Sequence, residues 1–162
     1  MKFIKHLLLT DRFLLRGHLQ TAGRRLTTFL NSTPKAFVEM EEVTLTDHVR
    51  GQQTRAGKTL VRVEEILLAC ELEASGDEHM RALSSREKDE ISLVLQFGGA
   101  APFRISGMVS RRAIERDLSG KHDFVVVTDP AIKGFPESNE FATWADLPYV
   151  IVNRNRLTVV IQ

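Results

Sequence analysis

The sequence has few of the features that would place a protein in a specialised class. A single cysteine, Cys70, excludes an internal disulfide bond and a zinc site built from several cysteines. Neither sign of charge predominates, because 22 Lys and Arg stand against 21 Asp and Glu, so composition provides no general attraction to nucleic acid or anionic membrane. Glycine and proline are too scarce for a collagen-like chain, and 43% of the residues are hydrophobic, which is typical of a globular protein.

Long hydrophobic runs are also missing. No stretch approaches the roughly 20 apolar residues needed to span a bilayer. The apolar run near the start is interrupted by Lys5 and His6, and Asp11 and Arg12 soon follow, so it is too short for a signal peptide. We therefore expect a cytoplasmic protein with no membrane partner.

Motifs that carry catalysis are absent as well. The sequence contains neither a Gly-x-Ser-x-Gly nucleophile elbow nor a dinucleotide-binding glycine fingerprint. Residues 51–59 resemble a phosphate-binding loop in composition, but the glycine spacing is one residue too long, so we expect a polar hairpin loop. Cys70 lies in an apolar run, which predicts a buried thiol, and Glu39 and Glu41 alternate on a solvated strand face. The five histidines do not have the spacing of a metal site: His6, His18, His48, His79 and His122. No catalytic residue, metal site or cofactor is predicted, and we expect no enzymatic activity.

Short alternating segments predict a mainly β fold. Residues 3–19 are predicted to form two strands joined by a polar turn, residues 23–31 a short helix or turn, and residues 36–45 a further strand. Residues 59–72 are either two strands or one buried helix, because periodicity alone does not distinguish them. Beyond a charged segment, further strands are predicted at 91–97, 103–109, 123–128, 149–152 and 157–161, the last two as a hairpin.

The two halves of the chain can be aligned to each other. An offset of about 90 places Phe13–Gly17 on Phe103–Gly107, and also places Leu7 on Phe97. An offset of about 87 aligns the arginine pair of one half with that of the other, together with the strands that follow. An offset of about 91 aligns residues 60–68 with 151–159. Because 149–161 is predicted to be a hairpin, this alignment predicts a hairpin over 59–72 as well. The alternative is a single β-rich domain with repetitive strands. Under duplication, the domains are 1–72 and 91–162, and 73–90 is a charged linker that is helical in part.

Each half resembles an Sm-like barrel. Leu7–Leu19 is similar to the first Sm motif, Phe37–Val43 to the strand after it, and Tyr149–Val160 to the second Sm motif. The resemblance implies two tandem small Sm-like β-barrel domains with short helical insertions, and relatives among uncharacterised bacterial proteins with duplicated domains. It also implies oligomers formed through edge strands, since a small barrel with open edges must pair or protect them. The predicted function is a non-enzymatic interaction or assembly module whose partner is another copy or another protein.

The nucleotide pocket of Sm-like RNA binders does not carry over, because the loop over 20–36 is expanded and the turn at 62–65 is partly acidic. RNA binding is therefore the alternative function, and RNA is not the favoured partner. The candidate ligand or phosphate contacts are Arg24, Arg25, Arg111, Arg112, Arg154 and Arg156. The other interpretation of these arginines is solubility together with ion pairing to neighbouring Glu and Asp.

Overall fold

Strands predominate in the computed structural model, which describes residues 5–32, 36–72, 88–95, 102–111, 122–135 and 139–161. The mainly β class is therefore confirmed. In chain order the described strands are β1 (His6–Leu9), β2 (Phe13–Leu19), β3 (Phe37–Asp47), β4 (Gln52–Ala56), β5 (Thr59–Arg62), β6 (Leu68–Glu71), β7 (Lys88–Leu95), β8 (Phe103–Ser110), β9 (Phe124–Lys133), β10 (Tyr149–Asn153) and β11 (Leu157–Ile161).

Short helical segments connect some of these strands. The predicted first helix is α1 (Leu26–Ser32), which buries Leu26, Phe29 and Leu30 at the expected spacings of three and four. The second is α2 (Asn139–Ala142), and 3-10 turns occur at η1 (Val63–Glu65), η2 (Thr143–Asp146) and η3 (Arg154–Arg156). None of the helices in the described segments has the length and apolar character needed to cross a bilayer.

All described strands belong to one antiparallel sheet. Its neighbours follow the order β11-β7-β8-β9-β10-β6-β1-β2-β3-β4, and β5 pairs with β3 beside that path. The described pairings do not close the sheet, and the tandem Sm-like barrels predicted from the sequence remain a proposal. Residues 6–71 and 88–161 follow similar pairing paths, β6-β1-β2-β3-β5 in the first and β11-β7-β8-β9-β10 in the second.

A glycine lies opposite a bulge of the neighbouring strand in each half. Gly17 on β2 and Gly107 on β8 each face two residues of the next strand, where the register shifts. A Cβ atom on Gly17 would lie 2.7 Å from the Glu41 carbonyl oxygen, and one on Gly107 would lie 2.8 Å from the Thr128 carbonyl oxygen. The strands approach so closely at both bulges that only glycine fits without a shift.

Four predicted boundaries or pairings are wrong. Residues 51–58 are not only loop, because Gln52–Ala56 form β4 on β3. Residues 59–72 and 149–161 each hold two strands, but the described pairings join β5 to β3 and β6 to β1, and they join β11 to β7, so neither segment is a hairpin. β7 begins at Lys88, within the range predicted as a linker, and the rest of that range lies outside the described residues. Pairing with strands elsewhere in the sheet, rather than local alternation, determines these arrangements.

The fourth error concerns how the first strands of the two halves were aligned. Leu7 lies opposite Arg16, and Ser92 lies opposite Ser106, so Leu7 corresponds to Ser92 and not to Phe97. Four residues separate Leu9 from its partner Leu14, whereas nine separate Val94 from its partner Arg104. Because the connection between the first two strands is five residues longer in the second half, the offset that aligns the first strands is 85 and not 90. The offsets of 90, 87 and 91 for the later strands agree with the strand registers.

Two hydrophobic clusters hold the sheet, and each takes residues from both halves of the chain. One cluster combines Leu7 and Leu9 with the β7–β10 strands and with Trp144, which is fully buried. The other combines α1 and β2 with Phe124, Tyr149 and Ile151. Because each core is completed by the opposite half, the two halves stabilise one another.

Candidate functional site

The candidate site comprises two of the three edge strands of the described sheet, β5 and β11; the third, β4, is polar and also pairs only with β3. In the described pairings β5 bonds only to β3, and β11 bonds only to β7. Six large hydrophobic side chains of the described residues are exposed, and five of them lie on or beside these two strands: Phe37, Leu60, Val159, Val160 and Ile161. An exposed apolar edge offers unpaired backbone groups together with hydrophobic surface, so it is suited to pairing with another strand.

Among the described strands, the two halves of the chain pair with each other where β10 meets β6. Ile151 lies opposite Ala69 and Val152 opposite Leu68, and all four side chains are fully buried. Beyond this pairing, Asn153 donates from its backbone N–H to the Leu67 carbonyl at 3.0 Å. The Asn153 side-chain amide also donates to a carbonyl, that of Ile66, at 2.9 Å. Backbone pairing, apolar burial and a buried amide therefore act together at this junction.

The open edges correspond in position to the two strands of the junction. On β5, Val61 faces Val38 of β3, and on β10, Val152 faces Val125 of β9. A 3-10 turn follows each strand, η1 after β5 and η3 after β10. β6 and β11 are the next strands, and they pair with the first strands of their halves, β1 and β7. β5 is thus the counterpart of β10, and β11 is the counterpart of β6.

Charged side chains flank the β5 edge. Lys58 Nζ lies 2.8 Å from the Glu39 carboxylate, whose hydrogen bond and charge raise the pKa of Lys58. The Arg62 guanidinium lies 5.2 Å from the centre of the Phe37 ring. Charges at the ends of an exposed edge discourage pairing with unmatched strands, and the central Leu60 remains 60% exposed.

The arginines predicted as ligand contacts do not form one cluster of unpaired cations. Arg111 makes two hydrogen bonds to Asp89, each 3.0 Å long. Arg154 contacts Asp123 at 3.3 Å and donates to the His122 carbonyl at 2.8 Å. These ion pairs match the second interpretation of the arginines, in which they neutralise nearby carboxylates.

The remaining candidate arginines differ in their contacts. Arg156 reaches Asp11 of the β1–β2 turn at 2.5 Å and Glu65 of η1 at 3.7 Å, so it ties the two halves together. Arg24 and Arg25 are exposed just before α1, and Arg24 donates to Ser32 Oγ at 3.3 Å. Arg112 lies outside the described residues.

A buried polar cluster, which sequence reasoning missed, joins α1 to β6 and β10. Glu71 accepts a hydrogen bond from the Leu26 backbone N–H at 3.1 Å and another from the Tyr149 hydroxyl at 3.3 Å. Burial and the Glu71 charge raise the pKa of Tyr149. The only signal in the sequence is an acidic residue directly after an apolar run. The contacts give Glu71 a structural role, since its carboxylate accepts a hydrogen bond from a backbone N–H group at the start of α1 that has no partner within the helix.

Cys70 and His6, two residues whose side chains could supply chemistry, are held in structural positions. Cys70 is fully buried, as predicted, and burial raises the pKa of its thiol, which suppresses the nucleophilic thiolate. His6 is buried, and its Nδ1 accepts from the Leu19 backbone N–H at 3.1 Å. Comparisons with protein-family models, with curated proteins and with solved structures find no match.

Proposed function

We propose that this chain is a non-enzymatic assembly module of two tandem Sm-like units, which joins to further copies of itself through β5 and β11. One observation carries the proposal: the two open edges are the positional counterparts of β10 and β6, which pair inside the chain. A chain that already joins its halves in this way presents the same two types of edge at its ends.

The Sm-like assignment is supported by several features. Apart from β4, which only the first half has, each half consists of five strands paired in the same order, with a glycine on the second strand opposite a bulge of the next strand and a 3-10 turn before the last. Glu42 and Asp129, at matched positions of the bulges, both adopt a positive φ near 50°. Matched strand order, bulge and turn favour duplication of one unit over a single domain with repetitive strands.

The internal junction gives a register for the contact between chains. Transferring the Ile151–Ala69 and Val152–Leu68 pairs to the open edges places Leu60 opposite Val160, and Val61 opposite Val159 of the next chain. The contact is head to tail, because it joins different surfaces of two identical chains. Repetition of such a contact generates a ring if the rotation closes, and a filament otherwise.

Light scattering coupled to size-exclusion chromatography tests the assembly. We expect the wild-type protein to have a mass that is a multiple of the 18.3 kDa chain. Leu60→Lys and Val160→Lys each place a charge on one edge and should each yield single chains. Val49→Lys is the matched control, since Val49 is also exposed but lies in the turn after β3, and it should leave the mass unchanged.

Mixing the two edge variants tests the head-to-tail geometry. The Leu60→Lys chain retains β11 and the Val160→Lys chain retains β5, so one chain of each should combine into a particle of twice the single-chain mass. A mixture that remains single chains, or edge variants that keep the wild-type mass, would contradict the proposal.

RNA binding through the arginine pairs is the alternative function, although Arg111, Arg154 and Arg156 are engaged by carboxylates. Titration of the wild-type protein with a short single-stranded RNA at low salt distinguishes the two. Assembly predicts no binding, whereas RNA binding predicts an affinity that falls steeply with added salt and is lost in an Arg24→Ala, Arg25→Ala double variant.

A further inference from the structure

A basic cleft lies on the sheet face formed by β1, β2, β3 and β4, and it is independent of the β5 and β11 edges. Two adjoining cavities of about 450 and 440 Å³ share Arg16, Thr44 and Arg55. Together they have the volume of pockets that hold small organic ligands. β4 belongs only to the first half, so the described residues form this cleft once per chain.

The strand registers bring the shared residues into one row across the sheet. Thr44 of β3 lies opposite Arg16 of β2 on one side and opposite Arg55 of β4 on the other. Residues directly opposite each other project from the same face, so the Arg16 and Arg55 side chains leave the sheet on either side of the Thr44 side chain. Two strand spacings of about 4.8 Å separate the arginine backbones, and long side chains from both can converge on one small anion.

The cations of the cleft are not neutralised within the described part of the chain. There, neither Arg16 nor Arg55 makes a side-chain hydrogen bond or ion pair, and the same holds for Lys5 at the cleft wall. One carboxylate, that of Glu42, lines the cleft, and it lies 3.5 Å from His18 Nε2. The cleft therefore holds more positive than negative charge, unlike the ion-paired arginines described above.

In the neighbouring row of residues on the same sheet face, the polar side chains are hydrogen-bonded to each other. Two residues further along β3, Thr46 accepts a hydrogen bond from Gln53 at 3.3 Å. Thr44 makes no side-chain hydrogen bond within the described segments. Thr44 and its flanking arginines thus present an available hydroxyl between two available cations.

The second cavity adds an apolar wall to the basic one. Leu7 and Leu14 line it from the sheet, Leu72 lines it beyond β6, and Thr143 lines it from η2. A ligand that extends from the arginines toward this wall would contact charge at one end and hydrocarbon at the other. An anion with an apolar body fits both ends, whereas a bare anion uses only one.

We propose that this cleft binds a small phosphate ester. Arg16 and Arg55 donate to the phosphate oxygens from either side, the Thr44 hydroxyl donates to a third oxygen, and the apolar body of the ester lies against Leu14 and Leu72. Guanidinium groups match the tetrahedral oxygens of phosphate in charge and in donor geometry. No bond is made or broken in the cleft.

Isothermal titration calorimetry with inorganic phosphate and with phenyl phosphate tests the proposal. Phenyl phosphate should bind about tenfold more tightly, the gain expected if roughly 60 Å² of its ring leaves water. Equal affinity for the two probes would show that the apolar wall is unused, and binding of neither probe at millimolar concentration would overturn the proposal.

Variants of the cleft locate the binding. Arg16→Gln and Arg55→Gln should each weaken phenyl phosphate binding about tenfold or more, because each removes charge-assisted hydrogen bonds. Arg104→Gln is the matched control, since Arg104 is an exposed arginine on β8 without a side-chain partner in the described segments. It should leave the affinity unchanged; equal weakening by all three variants would indicate general charge attraction and contradict a site between Arg16 and Arg55.

Discussion

β10 and β5 occupy matched positions in the two halves, yet their surroundings differ completely. β10 pairs with β9 and β6, and all five of its residues are buried. β5 pairs only with β3, and of its four residues only Val61 is buried. The same contrast separates β6, which is entirely buried, from β11, which is largely exposed. In both matched pairs, the strand with two neighbours is buried and the strand with one neighbour is largely exposed.

A second difference lies in the segment that precedes β5 in the first half and β10 in the second half. The first half inserts β4, a fully exposed polar strand that widens the sheet and forms one wall of the basic cleft. The second half inserts α2 and η2, whose Trp144 is fully buried and packs near Phe135. The same connection thus carries a solvated surface in one half and part of a hydrophobic core in the other.

Removing equivalent apolar side chains from β10 and β5 should produce the largest difference. Ile151→Ala empties a fully buried site and should lower the free energy of unfolding by about 2–5 kcal/mol. Leu60→Ala, at the counterpart position, should change it by less than about 0.5 kcal/mol because Leu60 is 60% exposed. Urea unfolding measures both values, with Val160→Lys added to each chain so that self-assembly does not contribute. Equal losses would contradict the difference in burial between β10 and β5.

The bulge glycines provide a test in which the two halves should behave alike. Gly17→Ala and Gly107→Ala each bring a Cβ atom within 3 Å of the adjoining strand, so each should destabilise the protein by about 1–3 kcal/mol. Gly57→Ala is the control, because no atom lies within 4 Å of its added Cβ, and it should change stability by less than about 0.5 kcal/mol. Thermal unfolding followed by circular dichroism measures all three, and a tolerated alanine at either bulge would contradict the close approach of the strands.

The smallest expected effect concerns two carboxylates that differ in burial. The hydrogen bond from Arg12 holds the pKa of Asp47 below its ordinary value of 3.8, with help from the Arg50 and Val49 N–H groups and against partial burial. Arg111 lowers the pKa of Asp89 in the same way. A lowered pKa contributes stability above about pH 4, and that contribution is lost as the pH falls through the folded-state pKa.

Acid unfolding therefore compares the two ion pairs. Between about pH 6 and pH 2, Asp47→Asn should lose less stability than the wild type, because it no longer has a carboxylate to protonate. Asp89→Asn should show a weaker form of the same change, since the side chain of Asp89 is 41% exposed and that of Asp47 is 10% exposed. Urea unfolding at several pH values measures the difference, and an unchanged pH dependence in Asp47→Asn would contradict a stabilising role for its ion pair.

Local pattern was sufficient to predict most strands and α1. The alternation in residues 36–45 predicts β3, and the spacing of Leu26, Phe29 and Leu30 predicts the buried face of α1. β4 was missed because Gln52–Ala56 is polar and exposed throughout, and its strand geometry comes from pairing with β3. The basic cleft was missed for a related reason: Arg16, Thr44 and Arg55 are far apart in the chain and meet only through strand register.

Composition and periodicity are properties of short segments, and they account for the β class, the buried Cys70 and the polar turn at residues 10–12. They do not distinguish β6 from β11, since the sequence Leu-Ala-Cys-Glu is buried whereas the more apolar Leu-Thr-Val-Val-Ile is exposed. That distinction arises from contacts such as Asn153 with Leu67, which join distant parts of the chain. Pairing of this kind depends on which strands the whole fold brings together, so only the tertiary structure shows which edges remain open.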